Sequence, residues 1–189
     1  LACVLARVYG VQGRHGHAEA ETVVKKNHPS GGALHPLEAY VVVQRVEGLV
    51  PGLYHYHAGE RALQPLPPVP DLREFVRLCT GGQRYFAKAP AIVVMTARFS
   101  RSFWKYRRHA KAYRALLLEA GHASQNFYLA ATDLGLGAFV TAAVNESDIE
   151  AALGLDPLAE GVILINGLGA RGAERAMTEF DPHGQVWGD

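Results

Sequence analysis

Apolar residues recur along this chain with two periods, one typical of buried strands and one typical of amphipathic helices. Short apolar runs predict strands at 39–43, 52–57, 62–66, 91–96, 138–141 and 161–166. Steps of three and four residues predict helices at 1–9, 71–78, 113–134 and 146–153. Asp71 and Asn145 are the predicted N-caps of the second and fourth helices.

The order of these elements decides the fold class. Segments 52–57 and 62–66 are joined through Gly59 and Glu60 and predict a hairpin, whereas Gly13 and Gly16 predict a loop. Hairpin-linked strands between helices favour an antiparallel sheet over a parallel one, which needs regular crossovers. We therefore expect one α+β domain over residues 1–189, with an antiparallel sheet flanked by helices and a long central helix.

Charge and cysteine content exclude several classes of protein. The net charge of +1 gives no field that would attract nucleic acid or an anionic membrane. Cys3 and Cys79 suggest neither a disulfide framework nor a thiolate zinc site. Without a long apolar run or a signal peptide, the plain expectation is a cytoplasmic protein. Because the chain begins at Leu1 rather than Met, we expect the natural protein to start earlier.

Three segments have residues suited to chemistry. Pro29-Ser30-Gly31-Gly32 can press backbone amides against a flat or anionic ligand, although an ordinary surface turn is the alternative. Lys105 and Tyr106 place an amine beside a phenol, and burial with neighbouring cations would lower the pKa of Lys105, as a base requires. On a helix, adjacent residues would share a target only at its start, and an exposed basic patch is the alternative.

The third segment lies within the central helix. His122, Gln125 and Asn126 approach one face at three and four residue steps, where a ligand or second subunit could provide partners. A satisfied core histidine is the alternative for His122.

Two further patterns lead to simpler explanations. Gly167, Gly169 and Gly172 match GxGxxG, but too little chain follows for a dinucleotide-binding unit, so we expect a flexible turn that presents Arg171 or Arg175 to an anion. His55 and His57 share one face of a strand without an evident third ligand. We therefore predict a wet hairpin face and no metal site.

The longer segments resemble a known family. HPSGGALHPLEAYVVV, GLYHYHAGERAL and FWKYRRHAKAYRALLLEAGHASQNFYLAATDLGLGA are together similar to the SagB-type azoline dehydrogenase branch of the nitroreductases. The order and spacing of these segments cover nearly the whole chain. The resemblance implies an antiparallel sheet between helices and an entwined homodimer with FMN in clefts at its interface.

The resemblance also assigns residues to the cofactor site. The implied FMN contacts are Pro29, Ser30, Gly31, Gly32, Gln125, Asn126, Gly137, Thr141 and, for the phosphate, Arg171 or Arg175. Nitroreductases usually hold the phosphate partly through an RxSxR motif near the N-terminus, which this sequence lacks. Either the chain is truncated, or Lys25 and Lys26 replace those contacts.

The resemblance implies a specific reaction as well. Azoline dehydrogenases oxidise thiazoline or oxazoline rings in peptide natural products, with a catalytic Lys-Tyr pair that matches Lys105 and Tyr106. A modified peptide would be the substrate, and a cyclodehydratase complex a candidate partner. The alternatives are a generic NAD(P)H-dependent nitroreductase or flavin oxidoreductase, and a scaffold subunit that has lost its cofactor.

Overall fold

A sheet of antiparallel strands forms the centre of the molecule, as the sequence predicts. The computed structural model describes residues 1–17, 20–84 and 86–172. The strands there are β1 (Gly13–His17), β2 (Ala20–Lys25), β3 (Leu37–Val43), β4 (Gly52–His57), β5 (Ala62–Pro65), β6 (Ala91–Arg98), β7 (Leu136–Thr141) and β8 (Glu160–Ala170). The main sheet has the order β5-β4-β3-β6-β8-β7 with every pair antiparallel, and β1 and β2 form a separate hairpin.

The helices pack on the two faces of this sheet. They are α1 (Ala2–Val8), α2 (Leu72–Cys79), α3 (Phe99–Tyr106), α4 (Lys111–Asp133) and α5 (Glu146–Leu153), with short 3₁₀ turns at Gly31–Ala33 and Phe86–Lys88. The predicted cap at Asp71 is confirmed, because its side chain accepts a hydrogen bond of 3.0 Å from the Glu74 amide. Asn145 is confirmed as the N-cap residue of α5, but its side chain donates to Asp148 and makes no capping hydrogen bond with the backbone.

The central strands β3 and β6 are buried on both faces. Val41 and Val93 point into a core formed with α1 and α4, whereas Val42 and Val94 point into a second core formed with α2 and α5. This alternation follows from the two-residue period of a strand, and both faces read as apolar because helices cover both. Among the described residues, no helix is long and apolar enough to cross a membrane.

The sequence-based prediction missed one hairpin and one helix. The region of Gly13 and Gly16 forms the hairpin β1–β2 instead of a loop, with an irregular register between His15 and His17. Helix α3 follows β6 directly and was not predicted, because its short sequence lacks the sustained apolar period of α4.

The glycine-rich motif near the end of the described chain belongs to β8, so the predicted flexible turn is wrong. A Cβ atom at Gly167 would lie 2.1 Å from the Phe139 ring on β7, and one at Gly169 would lie 2.6 Å from Pro90. These glycines therefore allow close packing within the sheet. Rejection of the dinucleotide-binding interpretation is consistent with their position in an antiparallel strand.

Candidate active site

The loop around Ser30 has a tightly defined backbone. Gly32, Ala33 and His35 all have positive φ, at 71°, 56° and 46°. Such values are uncommon for residues with a Cβ atom, so surrounding contacts must hold the loop. The Ser30 hydroxyl accepts a hydrogen bond of 2.9 Å from the His35 amide, and the Ser30 carbonyl accepts one of 3.1 Å from Ala33.

Lys105 and Tyr106 both reach this loop. A Cβ atom at Gly32 would lie 2.7 Å from Lys105 Nζ and 3.1 Å from the Tyr106 hydroxyl oxygen. The amine and the phenol therefore converge on one point beside the backbone of Gly32. They do so from the last turn of α3, so the expectation that a helix could bring them together only at its start is wrong.

The surroundings of this pair differ from the expectation in one respect. Lys105 is exposed in the single chain instead of buried, whereas Tyr106 is half-buried. Lys111 Nζ lies 5.4 Å from the centre of the Tyr106 ring, a distance suited to a cation–π contact. A neighbouring cation thus faces the Tyr106 member of the pair.

Three polar side chains lie buried behind the loop, and the sequence analysis did not identify them. Glu119 Oε1 on α4 lies 3.3 Å from His28 Nε2 and 3.7 Å from His35 Nδ1. Burial alone would raise the pKa of Glu119, but His28, His35 and Ser30 lower it to about 2. Histidines on both sides of the loop and a glutamate on the apolar face of a helix were the available signals.

A polar cleft of about 610 Å³ opens beside the first residues of β3 and the last residue of β6. It is lined in part by Lys26, Glu38, His55, Arg98 and Arg101. Burial would raise the pKa of Glu38, but the hydrogen bond with His55 and the charges of Arg101 and Arg98 lower it to about 2. His55 forms a hydrogen bond of 2.9 Å with Glu38, and His55 and His57 both line the cleft. His57 is exposed.

Helix α4 presents Gln125 and Asn126 on its surface side. Gln125 and His122 are exposed, so the core-histidine alternative for His122 is wrong. Asn126 is half-buried and lines a depression of about 510 Å³. The buried polar residue of this segment is Ser124, whose hydroxyl accepts a hydrogen bond of 2.9 Å from Asn166.

Of the remaining predicted cofactor residues, Gly137 lies just beyond the end of α4, whereas Thr141 lies four residues further along β7, opposite Ile165. Gly137 pairs with Gly169, and a Cβ atom at Gly137 would lie 3.5 Å from Arg171 Cγ. Thr141 is buried, and its hydroxyl accepts hydrogen bonds from Gln83 at 3.2 Å and from the Ala143 amide at 3.1 Å. Arg175 lies outside the described residues.

The candidate residues therefore form two groups in one chain. The loop group packs on α4 at Ala115, which lies 3.1 Å from a Cβ built at Gly31, whereas the Arg171 group follows the end of the helix at Asp133. At 1.5 Å per residue, these two points on α4 are about 27 Å apart. Within one chain, the two groups therefore pack against opposite ends of α4.

Relatives of this chain include proteins that process natural products. The trifolitoxin-processing protein TfxB of Rhizobium leguminosarum bv. trifolii is 35% identical over 143 residues, 74% of this chain and 38% of that protein. The microcin B17-processing protein McbC of Escherichia coli is 30% identical over 137 residues, 70% of this chain and 50% of that protein. The chain thus spans half or less of the length of these two relatives.

Solved structures show the same fold. A structure assigned as a nitroreductase from Anabaena variabilis has a TM-score of 0.80 and 29% identity, covering 88% of this chain and 34% of its own. A chain in the E. coli microcin synthetase McbBCD complex with truncated pro-MccB17 bound has a TM-score of 0.72 and 23% identity, covering 90% and 62%. The nitroreductase family matches residues 17–170. The predicted family and fold are confirmed: this chain belongs to the nitroreductase family of oxidoreductases.

Proposed function

We propose that this chain is the FMN-binding catalytic part of a dehydrogenase that oxidises azoline rings in a peptide to azoles. The observation that carries the proposal is the convergence of Lys105 Nζ and the Tyr106 hydroxyl on Gly32. Two relatives named for the processing of trifolitoxin and microcin B17 support a peptide substrate.

The loop at residues 29–32 suits a flat cofactor. Pro29 and Gly32 are exposed, so this part of the loop is accessible to a planar ring. The missing Cβ atoms of Gly31 and Gly32 allow Ala115 and Lys105 to approach the loop closely. FMN, when bound, supplies the hydride acceptor for the reaction. The proposed contacts to its ring system are those of Pro29, Ser30, Gly31 and Gly32.

Lys105 and Tyr106 have separate proposed roles in the oxidation. Lys105, as the base, would take the proton from the α carbon of the azoline, and bound FMN would supply the acceptor for the hydride of the adjacent ring carbon. Tyr106 orients the ring by a hydrogen bond from its hydroxyl. The positive charge of Lys111, which lies over the Tyr106 ring, polarises the O–H bond of the phenol.

A second copy of the chain would complete the cofactor site. The loop group and the Arg171 group are about 27 Å apart along α4, so one FMN can contact both only if they come from different copies. Helix α4 also exposes more than half of each of Tyr113, Leu117, Leu118 and Leu129. An apolar face of this extent favours a homodimer, with Gln125 and Asn126 near its interface.

Arg171 is a better proposed phosphate ligand than Lys26. Lys26 lines the polar cleft together with Glu38 and with Arg98, the last residue of β6. The first residue of β6, Ala91, pairs instead with the part of β8 that leads to Arg171. Arg171 instead lies beside Gly137, next to the segment 137–141 that is proposed to run along the cofactor. A cyclodehydratase partner and a cytoplasmic location stay predictions.

A generic NAD(P)H-dependent flavin oxidoreductase is the second candidate. The similarity to the Anabaena variabilis structure assigned as a nitroreductase favours this second candidate, because a nitroreductase needs no peptide substrate. In such an enzyme Lys105 and Tyr106 would have no role as base and orienting group. A scaffold subunit without cofactor is the remaining alternative, and it would bind no flavin at all.

Flavin loading tests the proposal directly. The purified protein, mixed with FMN and passed through gel filtration, should elute as a dimer that carries the flavin absorbance. With oxygen present, it should remove two hydrogens from a synthetic thiazoline peptide, which mass spectrometry detects. A protein that elutes without flavin at high FMN concentration would exclude both enzyme candidates in favour of the scaffold.

Gly32 provides a test of the catalytic geometry. The substitution Gly32→Ala would place a methyl group 2.7 Å from Lys105 Nζ, at a backbone φ of 71°. We expect the amine to move and kcat for the thiazoline peptide to fall at least 10-fold, with a stability loss of about 1 kcal/mol. Gly48→Ala is the matched control, because Gly48 has φ of 78° and no neighbour within 4 Å. Equal kcat losses in the two variants would contradict the geometry.

A further inference from the structure

The buried cluster of His28, His35 and Glu119 leaves its facing atoms without ordinary partners. His28 Nε2, His35 Nδ1 and Glu119 Oε1 are buried and have no hydrogen bond of good geometry, yet their donor atoms lie within 4.8 Å of one another. Buried polar atoms without partners are costly. Either protons or a cation must therefore lie between the carboxylate and the two rings.

The protons of His28 can be assigned from its other nitrogen. His28 Nδ1 lies 3.0 Å from the Val8 carbonyl oxygen, which can only accept, so Nδ1 carries a proton. In a neutral ring, Nε2 would then present a lone pair to the Glu119 carboxylate at 3.3 Å, which is repulsive. Because the hydrogen-bonding groups around Glu119 lower the pKa of its carboxyl to about 2, the carboxylate is ionised and the extra proton belongs on the ring.

We propose that Glu119 is a positioning residue that keeps His28 doubly protonated and, through His28 and His35, clamps both ends of the loop that faces Lys105 and Tyr106. His35 faces the same carboxylate oxygen with Nδ1 at 3.7 Å, a distance that suits an ion pair rather than a hydrogen bond. The role in catalysis rests on the proposed function, whereas the protonation and the clamping of the loop do not.

The position of Glu119 in the fold supports this role. Glu119 lies one helical turn after Ala115, the residue of α4 against which Gly31 packs. His28 and His35 lie on either side of the loop, and the His35 amide donates to the Ser30 hydroxyl. The clamp thus holds the residues whose positive φ values are otherwise unfavourable.

Other charged groups face the cluster from neighbouring elements. Arg101 on α3 donates a hydrogen bond of 3.1 Å to the His35 carbonyl. Lys26 and Glu38 interact with each other electrostatically, and Lys26 also interacts with Glu119. A charge change at Glu119 is therefore expected to reach the loop and α3, where Lys105 and Tyr106 are located.

Nitrogen NMR of histidine-labelled protein tests the protonation state. In the unsubstituted protein both ring nitrogens of His28 should show the shifts of an imidazolium near neutral pH. In Glu119→Gln, the ring should become neutral, with Nε2 unprotonated. A neutral His28 in the unsubstituted protein, or a stoichiometric divalent metal found by elemental analysis, would overturn the proposal.

Hydrogen exchange tests the clamp without flavin or substrate. We expect the amides of Ala33 and His35 to exchange at least 10-fold faster in Glu119→Gln, whereas Asp133→Asn, a carboxylate loss at the exposed end of α4, leaves them unchanged. Unchanged exchange in Glu119→Gln would refute the clamp. If Glu119→Gln does not fold, Glu119→Asp keeps the charge and should retain an imidazolium at His28, and a neutral ring there would equally refute it.

Measurement of turnover then distinguishes a positioning role of Glu119 from a role in protein stability alone. In folded Glu119→Gln, kcat for the thiazoline peptide should fall 10-fold or more with KM nearly unchanged, and Glu119→Asp should recover part of the loss. A change confined to KM would overturn the positioning role. If no dehydrogenation occurs in any variant, the proposed function fails, and the NMR and exchange results still decide the clamp.

Discussion

Replacing Lys105 with alanine should lower kcat for oxidation of a thiazoline peptide by about 10²- to 10⁴-fold, the usual contribution of a positioned general base. FMN binding should change little, because the exposed amine reaches the loop at Gly32 without supporting the backbone there. Stopped-flow measurement of flavin reduction by the peptide would isolate this step. Tyr106→Phe should cost less, since it removes an orienting hydroxyl and leaves the base.

Two comparisons make the Lys105 result specific. Lys88→Ala removes a lysine next to β6, and we expect it to leave turnover unchanged. If Lys105→Ala oxidises the thiazoline peptide at the unsubstituted rate, the azoline proposal fails. Undiminished NAD(P)H-driven quinone reduction together with absent azoline oxidation in all variants would favour the generic flavin enzyme.

The sheet was predictable from sequence because its central strands are apolar on both faces. Val41 and Val93 belong to runs of β-branched residues that no loop would carry, and their alternation between two cores explains the absence of polar gaps. The hairpin β1–β2 was not predictable for the opposite reason: residues such as Gly13 and Gly16 have neither an apolar face nor strand propensity.

The candidate site was predictable only where its residues are adjacent in sequence. Lys105 and Tyr106 form a recognisable pair, but the position of their target depends on α3, a helix too short to show a clear period. The buried cluster was missed because Glu119 meets His28 and His35 only in the folded chain. Single residues of this kind have no local pattern, and a buried ionisable group is visible only once its neighbours are known.

Gly167→Ala should destabilise the protein by about 1–3 kcal/mol, the range for overpacking a filled core. The added methyl group would lie 2.1 Å from Phe139 Cε1, on the directly paired strand β7. Phe139 cannot easily move aside, because its ring stacks on Phe86 with 4.1 Å between centroids. Thermal unfolding should show a Tm lower by about 2–4 °C for each kcal/mol in a chain of this size.

The cause of this destabilisation is testable by a double-mutant cycle. Phe139→Ala removes the obstructing ring, so in that background Gly167→Ala should cost nearly nothing, and a coupling energy of about 1–3 kcal/mol should appear. Gly13→Ala is the control for a strand glycine, since no atom lies within 4 Å of its added Cβ, and it should be neutral or slightly stabilising. Equal costs of Gly167→Ala with and without the Phe139 ring would mean that close packing does not explain this glycine.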